Sequence, residues 1–460
     1  MAHSGGLPEF VEKEFKAYLE CGILAHGFLR SRCEGCHNER LVAFSCKKRG
    51  FCPSCGAKRM CETAALLVDH VIPDVPVRQW VLSLPFQLRY LLAAEPKVMG
   101  ELLRIIHRAI STYVSKRAGL KKSKSQTGAV TLIQRFGGSI NLNIHYHILA
   151  LDGAYTFADD KATFHPCPVP TSEDLQKVLQ NIITRIIRHL EKRGLIVKDQ
   201  DVEYLKLDNH DTGYDRLQAA SSIYRIAFGP RAGEKVFTLR SLPSTNQRQQ
   251  GLQAANSGFS LHAGVACNKG ERKKLEHLCR YISRPPVAEE RLRINDRGQV
   301  VYKLKRAYDD GTSHIVLEPL EFMERLASLV PRPRVNLSRY HGIFAPHAKY
   351  RSLITPKPPE KVVGENKSEA ADSDKPKSKY RIAWAQLLKR VFNMDLETCV
   401  KCGKKTKIIA AILDPKVVTK ILKHLHLPTE PPALAPARGP PIFQGHDPFE
   451  DEYSQLSPTF

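Results

Sequence analysis

The chain has 460 residues, 42% of them hydrophobic, a length that allows about three domains, each with its own core. Lysine and arginine number 70 against 47 acidic residues, so the formal net charge is +23. Solubility needs a much smaller charge, and we therefore expect a polyanionic partner, most simply nucleic acid. No apolar run is long enough to span a membrane, and the first ten residues do not resemble a signal peptide. The sequence thus predicts a cytoplasmic protein without a membrane partner.

Cysteines are concentrated near the N-terminus. Six of the twelve fall between residues 33 and 61, which in a reducing compartment indicates zinc binding rather than a disulfide scaffold. Two Cys-x-x-Cys pairs with fifteen residues between them have the spacing of a zinc knuckle; their members are Cys33, Cys36, Cys52 and Cys55. We predict that these four thiolates bind one zinc ion within a domain of residues 1–75. Cys46, Cys61 and His37 are alternative ligands, for a second site or in place of one of the four.

Basic residues accompany these cysteines. Lys47, Lys48 and Arg49 follow Cys46 directly, and a cluster of this kind attracts DNA phosphates. We therefore predict that the zinc domain contacts DNA. A purely structural zinc domain is the alternative.

Residues 141–151 form the strand on which the catalytic prediction rests. Alternation along a strand sends successive side chains to opposite faces. One face then carries apolar residues that can pack on helices, namely Leu142, Ile144, Tyr146, Ile148 and Ala150. The other face carries His145 and His147, and two imidazoles held by one rigid strand can bind a divalent metal ion. An ordinary pair of histidines on a half-exposed strand is the alternative.

The preceding segment is predicted to pair with this strand. Residues 129–136 have strand character, and Gly137-Gly138 predicts a tight hairpin turn. A two-residue turn pairs Gln134 with Asn141, which puts Gln134 on the metal face as a candidate third ligand.

A helix is predicted over residues 271–284, ended by Pro285-Pro286, with Tyr281 at the edge of its apolar stripe. His277 lies one turn before Tyr281 and is a candidate third metal ligand. Lys274 and Arg284 give the tyrosine basic surroundings and are candidate DNA contacts. A core tyrosine is the alternative for Tyr281.

The remaining chain is less informative. A hairpin is predicted around residues 309–311, a disordered linker over 354–380, and a disordered Pro-rich tail over 428–460. Between the linker and the tail, residues 381–427 are predicted to form a small helical module that includes a helix over 384–391. Its Cys-x-x-Cys pair and two later histidines are candidate ligands of a second zinc ion; they are Cys399, Cys402, His424 and His426. The fold class is α+β, with an antiparallel sheet that carries the histidine strand and is covered by helices in a catalytic domain of residues 76–353.

Five blocks in this order resemble the rolling-circle transposases of the insertion-sequence-ninety-one family, bacterial members of the HUH endonuclease superfamily. The blocks are residues 51–55, 141–151, 280–286, 339–342 and 399–403. The resemblance covers almost the whole chain. Founding members have two tyrosines four residues apart, whereas this chain has His277 and Pro285 on either side of Tyr281. It is therefore more similar to the single-tyrosine relatives associated with common-region elements.

The resemblance implies a mechanism and partners. His145 and His147 would hold a catalytic Mg²⁺ or Mn²⁺ ion, and Tyr281 would be the nucleophile that forms a 5′-phosphotyrosine with single-stranded DNA. Tyr302 and Tyr308 are the next candidates for the nucleophile. The substrates would be the ends of a mobile element and its target, and host replication proteins and association with the bacterial nucleoid are further expectations.

Two other functions compete with this one. A plasmid replication initiator or relaxase would use the same chemistry on a different DNA. A zinc-dependent DNA-binding protein without catalysis would use the histidine pair and Tyr281 structurally.

Overall fold

The computed structural model describes residues 6–199, 202–205, 212–240, 252–308, 310–356 and 398–432. The predicted linker from residue 357 onward, the predicted helix over 384–391 and the predicted tail from residue 433 onward lie outside the described residues. Among the helices of the described ranges, none is long and apolar enough to cross a lipid bilayer.

Helices and strands are interspersed along the chain. The α-helices are α1 Glu9–Leu19, α2 Pro53–His70, α3 Phe86–Ala94, α4 Pro96–Arg117, α5 Ser172–Lys192, α6 Gly213–Ser222, α7 Arg272–Ile282, α8 Pro319–Leu329, α9 Arg351–Ile354 and α10 Pro415–His424. The first strands are β1 Phe28–Cys33, β2 Glu39–Ala43, β3 Val77–Ser83, β4 Gly128–Phe136, β5 Leu142–Leu151, β6 Gly153–Ala158, β7 Lys161–Pro166, β8 Ile196–Asp199 and β9 Val202–Leu205. The later strands are β10 Phe237–Arg240, β11 Gln253–Asn256, β12 Phe259–Cys267, β13 Leu292–Ile294, β14 Val300–Lys303, β15 Thr312–Leu317, β16 Ser338–Gly342 and β17 Thr406–Ile412.

The largest sheet has six antiparallel strands in the order β11-β12-β3-β5-β4-β16. The predicted histidine strand is β5, which lies inside this sheet between β3 and β4. The expected α+β class with antiparallel sheets is confirmed. The predicted hairpin is also present, as β14 paired with β15 in a second sheet of order β10-β15-β14-β13.

Helices cover both faces of the six-stranded sheet. The apolar face of β5 packs in the larger core, where Ile144, Tyr146 and Ile148 are fully buried against side chains of α3, α4, α5, α6 and α8. The Tyr146 hydroxyl donates a hydrogen bond to the carbonyl of Met99 on α4, at 3.3 Å. A second core on the opposite face joins α2 and α7 to the sheet through residues such as Leu149. The histidine face of β5 is therefore the face that α2 and α7 cover.

The pairing of β4 with β5 differs from the prediction. Gln134 pairs with His145 rather than Asn141, and Phe136 pairs with Leu142 after a register shift. The connection is longer than a two-residue turn because Ile140 adopts a left-handed conformation and Asn141 accepts a hydrogen bond from the Gly137 N–H. Gln134 still lies on the histidine face, since directly paired residues of antiparallel strands share a face.

The C-terminal segment also differs from the predicted helical module. Residues 398–427 contain the strand β17 as well as α10, and β17 pairs with β1 in a three-stranded sheet of order β17-β1-β2. Phe28 of β1 packs with Val418 and Leu422 of α10 in a small core. This part of the C-terminal segment therefore extends the sheet of the N-terminal cysteine-rich region.

A buried ion pair joins β3 to the end of β5. Arg78 is 4% exposed and donates to both carboxylate oxygens of Asp152 at 2.6–3.1 Å and to the carbonyl of Ala263 at 2.9 Å. Removing one member of a buried pair leaves the other charge uncompensated. We predict that Asp152→Ala lowers the free energy of unfolding by about 3–5 kcal/mol, as measured by chemical denaturation. The double variant Arg78→Met/Asp152→Leu should recover most of this loss, and a loss below about 1 kcal/mol in the single variant would contradict the prediction.

Candidate active site

The histidine pair occupies the middle of the six-stranded sheet. The rings of His145 and His147 lie 4.9 Å apart between centroids, in an edge-to-face arrangement. His147 is buried, and His145 is half-buried. The strand fixes both backbones because β5 is paired on both sides, with β3 and with β4. Two imidazoles thus lie side by side with little freedom to move apart.

Hydrogen bonds orient the two rings. His145 Nδ1 lies 2.9 Å from the carbonyl of Asn143, which can only accept, so Nδ1 carries the proton and Nε2 keeps its lone pair. His147 Nδ1 lies 2.7 Å from the side-chain amide of Gln79 on β3. The Gln79 atom at this distance is Nε2, which can only donate, so Nδ1 of His147 accepts and its Nε2 carries the proton. A flip of the amide would present its oxygen to Nδ1–H and leave the lone pair on Nε2 of His147. His147 Nε2 is buried and has no hydrogen-bond partner among the described residues, as expected of an atom that faces a ligand.

Burial keeps both imidazoles neutral. Loss of solvent lowers the pKa of His145 to about 4 and that of His147 to about 2, and the charge of Arg284 contributes to both shifts. Neutral imidazole is the form that binds metal ions. The pair therefore has the donor chemistry, the orphaned nitrogen and the protonation state that a divalent cation requires.

Gln134 and His277 differ as third ligands. Gln134 is buried opposite His145, and its Nε2 donates to the carbonyl of Ile282 at 3.3 Å, a bond that does not use its side-chain oxygen. His277 is exposed on α7. Within the described ranges, no histidine, cysteine or acidic residue forms a three-member cluster with His145 and His147. The structure therefore brings Gln134 to the pair and does not bring His277 there.

Tyr281 lies at the C-terminal end of α7, and its side chain is 43% exposed. Two cations lie over its ring: Arg284 Cζ is 4.4 Å and Lys305 Nζ is 4.3 Å from the ring centroid. Lys305 follows β14 and carries no sequence signal that links it to this site. Lys274, expected beside the tyrosine, instead pairs with Glu271 at 3.1 Å, about two helical turns away.

The two alternative tyrosines have different environments. Tyr302 is 1% exposed, in the core, with Arg291 Cζ 4.9 Å from its ring centroid. A fully buried phenol cannot reach a DNA strand without rearrangement of the core. Tyr308 is 39% exposed and lies near Gly138 in the loop between β4 and β5. Of these two, Tyr308 is the accessible one.

A cavity of about 130 Å³ lies between the cysteine-rich region, β4 and the end of α7. Its lining includes Arg49 and Arg59 from the N-terminal region, Gln134 from β4, and Ile282 and Arg284 from the end of α7. Arg49 donates to the carbonyl of Val335 at 2.8 Å.

The two basic residues before Arg49 lie at the edge of the same region. The side chain of Arg59 donates to the carbonyl of Lys48 at 2.9 Å, while Lys47 is exposed. The structure therefore brings Arg49, of the three predicted DNA-contacting residues Lys47, Lys48 and Arg49, to the same cavity as Arg284.

The cysteines form two groups of four, and neither is the predicted set. The first group is Cys21, Cys46, Cys52 and Cys55, and the second is Cys33, Cys36, Cys399 and Cys402. Within each group, all sulfur atoms lie within 4.8 Å of one another. The predicted set is wrong because its two Cys-x-x-Cys pairs belong to different groups. Each pair is completed by cysteines that come from elsewhere in the chain.

Other predicted zinc ligands lie outside the two cysteine groups. Cys61 is buried in α2 outside both groups, and neither His424 nor His426 belongs to a described cluster. Cys21 escaped the sequence analysis because it stands outside the cysteine-rich window and has no Cys-x-x-Cys partner. The one signal that could have pointed to Cys21 is the number of cysteines, because the chain has enough of them for two complete sets of four ligands.

Comparisons with known proteins agree with this architecture. Residues 1–84 match the family model described as "Transposase zinc-binding domain", and residues 128–352 match that described as "Putative transposase". The transposase for insertion sequence element IS801 from Pseudomonas savastanoi pv. phaseolicola is 22% identical over 419 residues, which cover 90% of this chain and 86% of the relative. No solved structure gives a significant match.

The chain has a mixed α and β fold, two groups of four cysteines that suit zinc, and matches to two transposase family models. These features define a class of protein, the zinc-containing transposases. The chain belongs to the insertion-sequence-ninety-one family and carries the N-terminal zinc-binding domain of that family. It is therefore a DNA-processing enzyme whose partner is DNA, and its cysteine groups indicate Zn²⁺.

The lowered pKa values of the histidine pair predict a pH dependence. The unfolded chain protonates these imidazoles near pH 6.5, before the folded chain does, so stability should fall as the pH drops from about 6.5 toward about 4. We expect the melting temperature to fall over this interval, and to fall less in His145→Gln/His147→Gln. Ring-proton NMR of histidine-labelled protein should show two titrations, absent from that variant, with midpoints below pH 5. Midpoints near 6.5 would contradict the burial argument.

Proposed function

We propose that this transposase cleaves and rejoins single-stranded DNA with Tyr281 as the nucleophile, in a rolling-circle transposition reaction. The observation that carries the proposal is the contact between Gln134 and the carbonyl of Ile282, at 3.3 Å. It ties the end of the tyrosine helix to the residue opposite His145 in the sheet. This contact supports a single site that contains Tyr281, its two neighbouring cations and the histidine pair.

The proposed reaction transfers the scissile phosphoryl group from the DNA 3′ oxygen to the Tyr281 oxygen. The Tyr281 oxygen attacks the scissile phosphorus, the bond from phosphorus to the 3′ oxygen breaks, and the DNA 5′ end becomes a phosphotyrosine. The phenol loses its proton and the 3′ oxygen gains one, so the step is balanced and reversible. Arg284 and Lys305 lie over the Tyr281 ring and would offset part of the negative charge that develops on the phosphate during the transfer.

A divalent cation fits this site. We assign His145, His147 and Gln134 as its ligands, through the two Nε2 atoms and the glutamine side-chain oxygen. The bound cation would polarise the scissile phosphate and offset the charge that develops on it. Magnesium prefers oxygen donors, and an imidazole pair suits manganese as well, so we propose that either ion supports cleavage.

DNA binding follows from charge. The net charge of +23 and the arginines around the 130 Å³ cavity suit a phosphate backbone that runs from the zinc-binding domain to Tyr281. The relative is named a transposase for an insertion sequence, and we propose that the substrates here are likewise the ends of a mobile element and its target. Host replication proteins as partners and a nucleoid location belong to the same proposal.

One alternative uses the same geometry, since a replication initiator or relaxase would cleave through the same residues. The distinction lies in what happens after cleavage. A transposase joins the cleaved end of the element to a second DNA, whereas an initiator closes the original strand. Both outcomes are measurable with two labelled oligonucleotides of different length.

The histidine pair should be needed for cleavage and not for binding. We expect His145→Ala and His147→Ala each to reduce nicking of single-stranded DNA by about a thousandfold, because phosphate activation is lost. DNA affinity, measured by fluorescence anisotropy, should change less than about threefold because the basic surface supplies it. The matched control His277→Ala should nick DNA normally. Parallel losses of affinity and nicking would show a structural role for the pair.

Tyr281→Phe keeps the ring and removes only the oxygen. The variant should fold, bind DNA and keep its zinc, yet form no covalent adduct with labelled single-stranded DNA in Mg²⁺ or Mn²⁺. The unmodified protein should yield a denaturant-resistant adduct at the 5′ end of the cleaved strand. Tyr308→Phe is the control and should form the adduct. If Tyr281→Phe forms it and Tyr308→Phe does not, Tyr308 is the nucleophile.

A further inference from the structure

The second cysteine group joins residues from the two ends of the described chain. Cys33 Sγ lies 3.4 Å from Cys402 Sγ, and Cys36 Sγ lies 3.5 Å from Cys399 Sγ. A zinc–sulfur bond of about 2.3 Å in a tetrahedron puts neighbouring sulfurs about 3.8 Å apart. The four sulfurs, all within 4.8 Å of one another, are therefore spaced as a tetrahedral zinc site requires.

Strand pairing brings the two segments that carry these cysteines side by side. β1 and β17 pair from Phe28 opposite Ile412 to Cys33 opposite Thr406. Just beyond the strands, the N–H of Glu34 donates to the carbonyl of Lys405 at 3.0 Å. The approach is so close that a Cβ on Gly35 would lie 2.2 Å from Cδ of Lys404. Only glycine fits there without displacing the lysine side chain.

Each Cys-x-x-Cys pair has the local geometry of a zinc knuckle. The N–H of Gly35 donates to Cys33 Sγ at 3.3 Å, which stabilises a thiolate. On the other side, Cys399 donates its N–H to the carbonyl of Lys404 at 2.7 Å and accepts from the N–H of Gly403 at 2.8 Å. Gly403 has a φ of +70°, which glycine adopts without strain.

We propose that Cys33, Cys36, Cys399 and Cys402 bind one Zn²⁺ ion that fastens residues 398–427 to the N-terminal zinc-binding domain. The family model for that domain covers residues 1–84 and does not include Cys399 or Cys402. The complete domain is then discontinuous, and its second zinc site exists only when both ends of the chain are present.

The fastened segment adds positive charge to the DNA-contacting region. Residues 398–432 contain seven lysines against two acidic residues. Four of these lysines lie beside the second cysteine group, at positions 401, 404, 405 and 407. The surface formed by β17 and its knuckle therefore suits a phosphate backbone. The inference does not depend on the cleavage chemistry, because a zinc count is independent of nicking.

Zinc content of the full chain tests the proposal directly. We expect two zinc ions per chain by mass spectrometry under native conditions and one in Cys399→Ser/Cys402→Ser. The control Cys61→Ser changes a buried cysteine outside both groups and should keep two. One zinc ion in the unmodified chain, or two in the double variant, would overturn the proposal. So would two disulfides in place of the ion, which thiol counting under denaturing, non-reducing conditions detects.

A cleavage experiment tests the fastening itself. A protease recognition sequence is inserted between residues 370 and 380 of the full chain, and the cut protein is passed through a size-exclusion column. The C-terminal piece should stay with the rest in the unmodified chain and in Cys61→Ser, and should separate after zinc is removed with a chelator. It should separate without chelator in Cys399→Ser/Cys402→Ser. If the pieces of that variant stay together, or if those of the unmodified chain resist chelation, zinc does not hold the segment.

Discussion

The alternation of side chains along β5 is the constraint on which the candidate active site depends. One set of residues, such as Tyr146, is locked into the larger core, so the neighbouring histidines must face the opposite side. A shift of one residue in register would bury the imidazoles in that core and turn the apolar set toward α2 and α7. The large buried side chains on one face of β5 therefore fix the orientation of the two histidines on the other face. β3 and β4 add to this, because Gln79 and Gln134 reach the site from the adjacent strands.

The end of α7 is where the six-stranded sheet and the zinc-binding domain meet. Gly56 on α2 is so close to Pro285 that a Cβ there would lie 2.6 Å from Cβ of the proline. Gly56 directly follows Cys55, a member of the first cysteine group. At the other end of α7, Arg272 donates to the carbonyl of Ile72 at 3.0 Å, just beyond α2. The first cysteine group and the tyrosine helix thus share one packing interface. A change in the packing around the first cysteine group would therefore displace α7, which carries Tyr281.

The sequence predicted those features that depend on local patterns. The two faces of β5 and the buried stripe of α7, including Leu275, Cys279 and Ile282, follow from periods of two and of 3.6 residues, and the structure has both. The register of β4 on β5 was wrong because it depended on the conformation of one loop residue, Ile140. The pairing of β1 with β17 could not be predicted at all, since no local pattern records a contact between residues 369 positions apart, such as Cys33 and Cys402.

The cysteine sets show why spacing alone misassigns ligands. Within one Cys-x-x-Cys pair, the turn holds both sulfurs on the same side, so the pairing inside each knuckle is local. Which two knuckles share an ion is decided by the packing of strands and helices around them. Here β1 points Cys33 toward the C-terminal strand, while Cys52 precedes α2 and faces Cys21 at 3.7 Å. The eight sulfurs of the two groups include both members of all three Cys-x-x-Cys pairs. Each Cys-x-x-Cys pair needs two further thiolates to complete a tetrahedral site. In this chain the C-terminal pair supplies them for Cys33 and Cys36, and the single cysteines Cys21 and Cys46 supply them for Cys52 and Cys55.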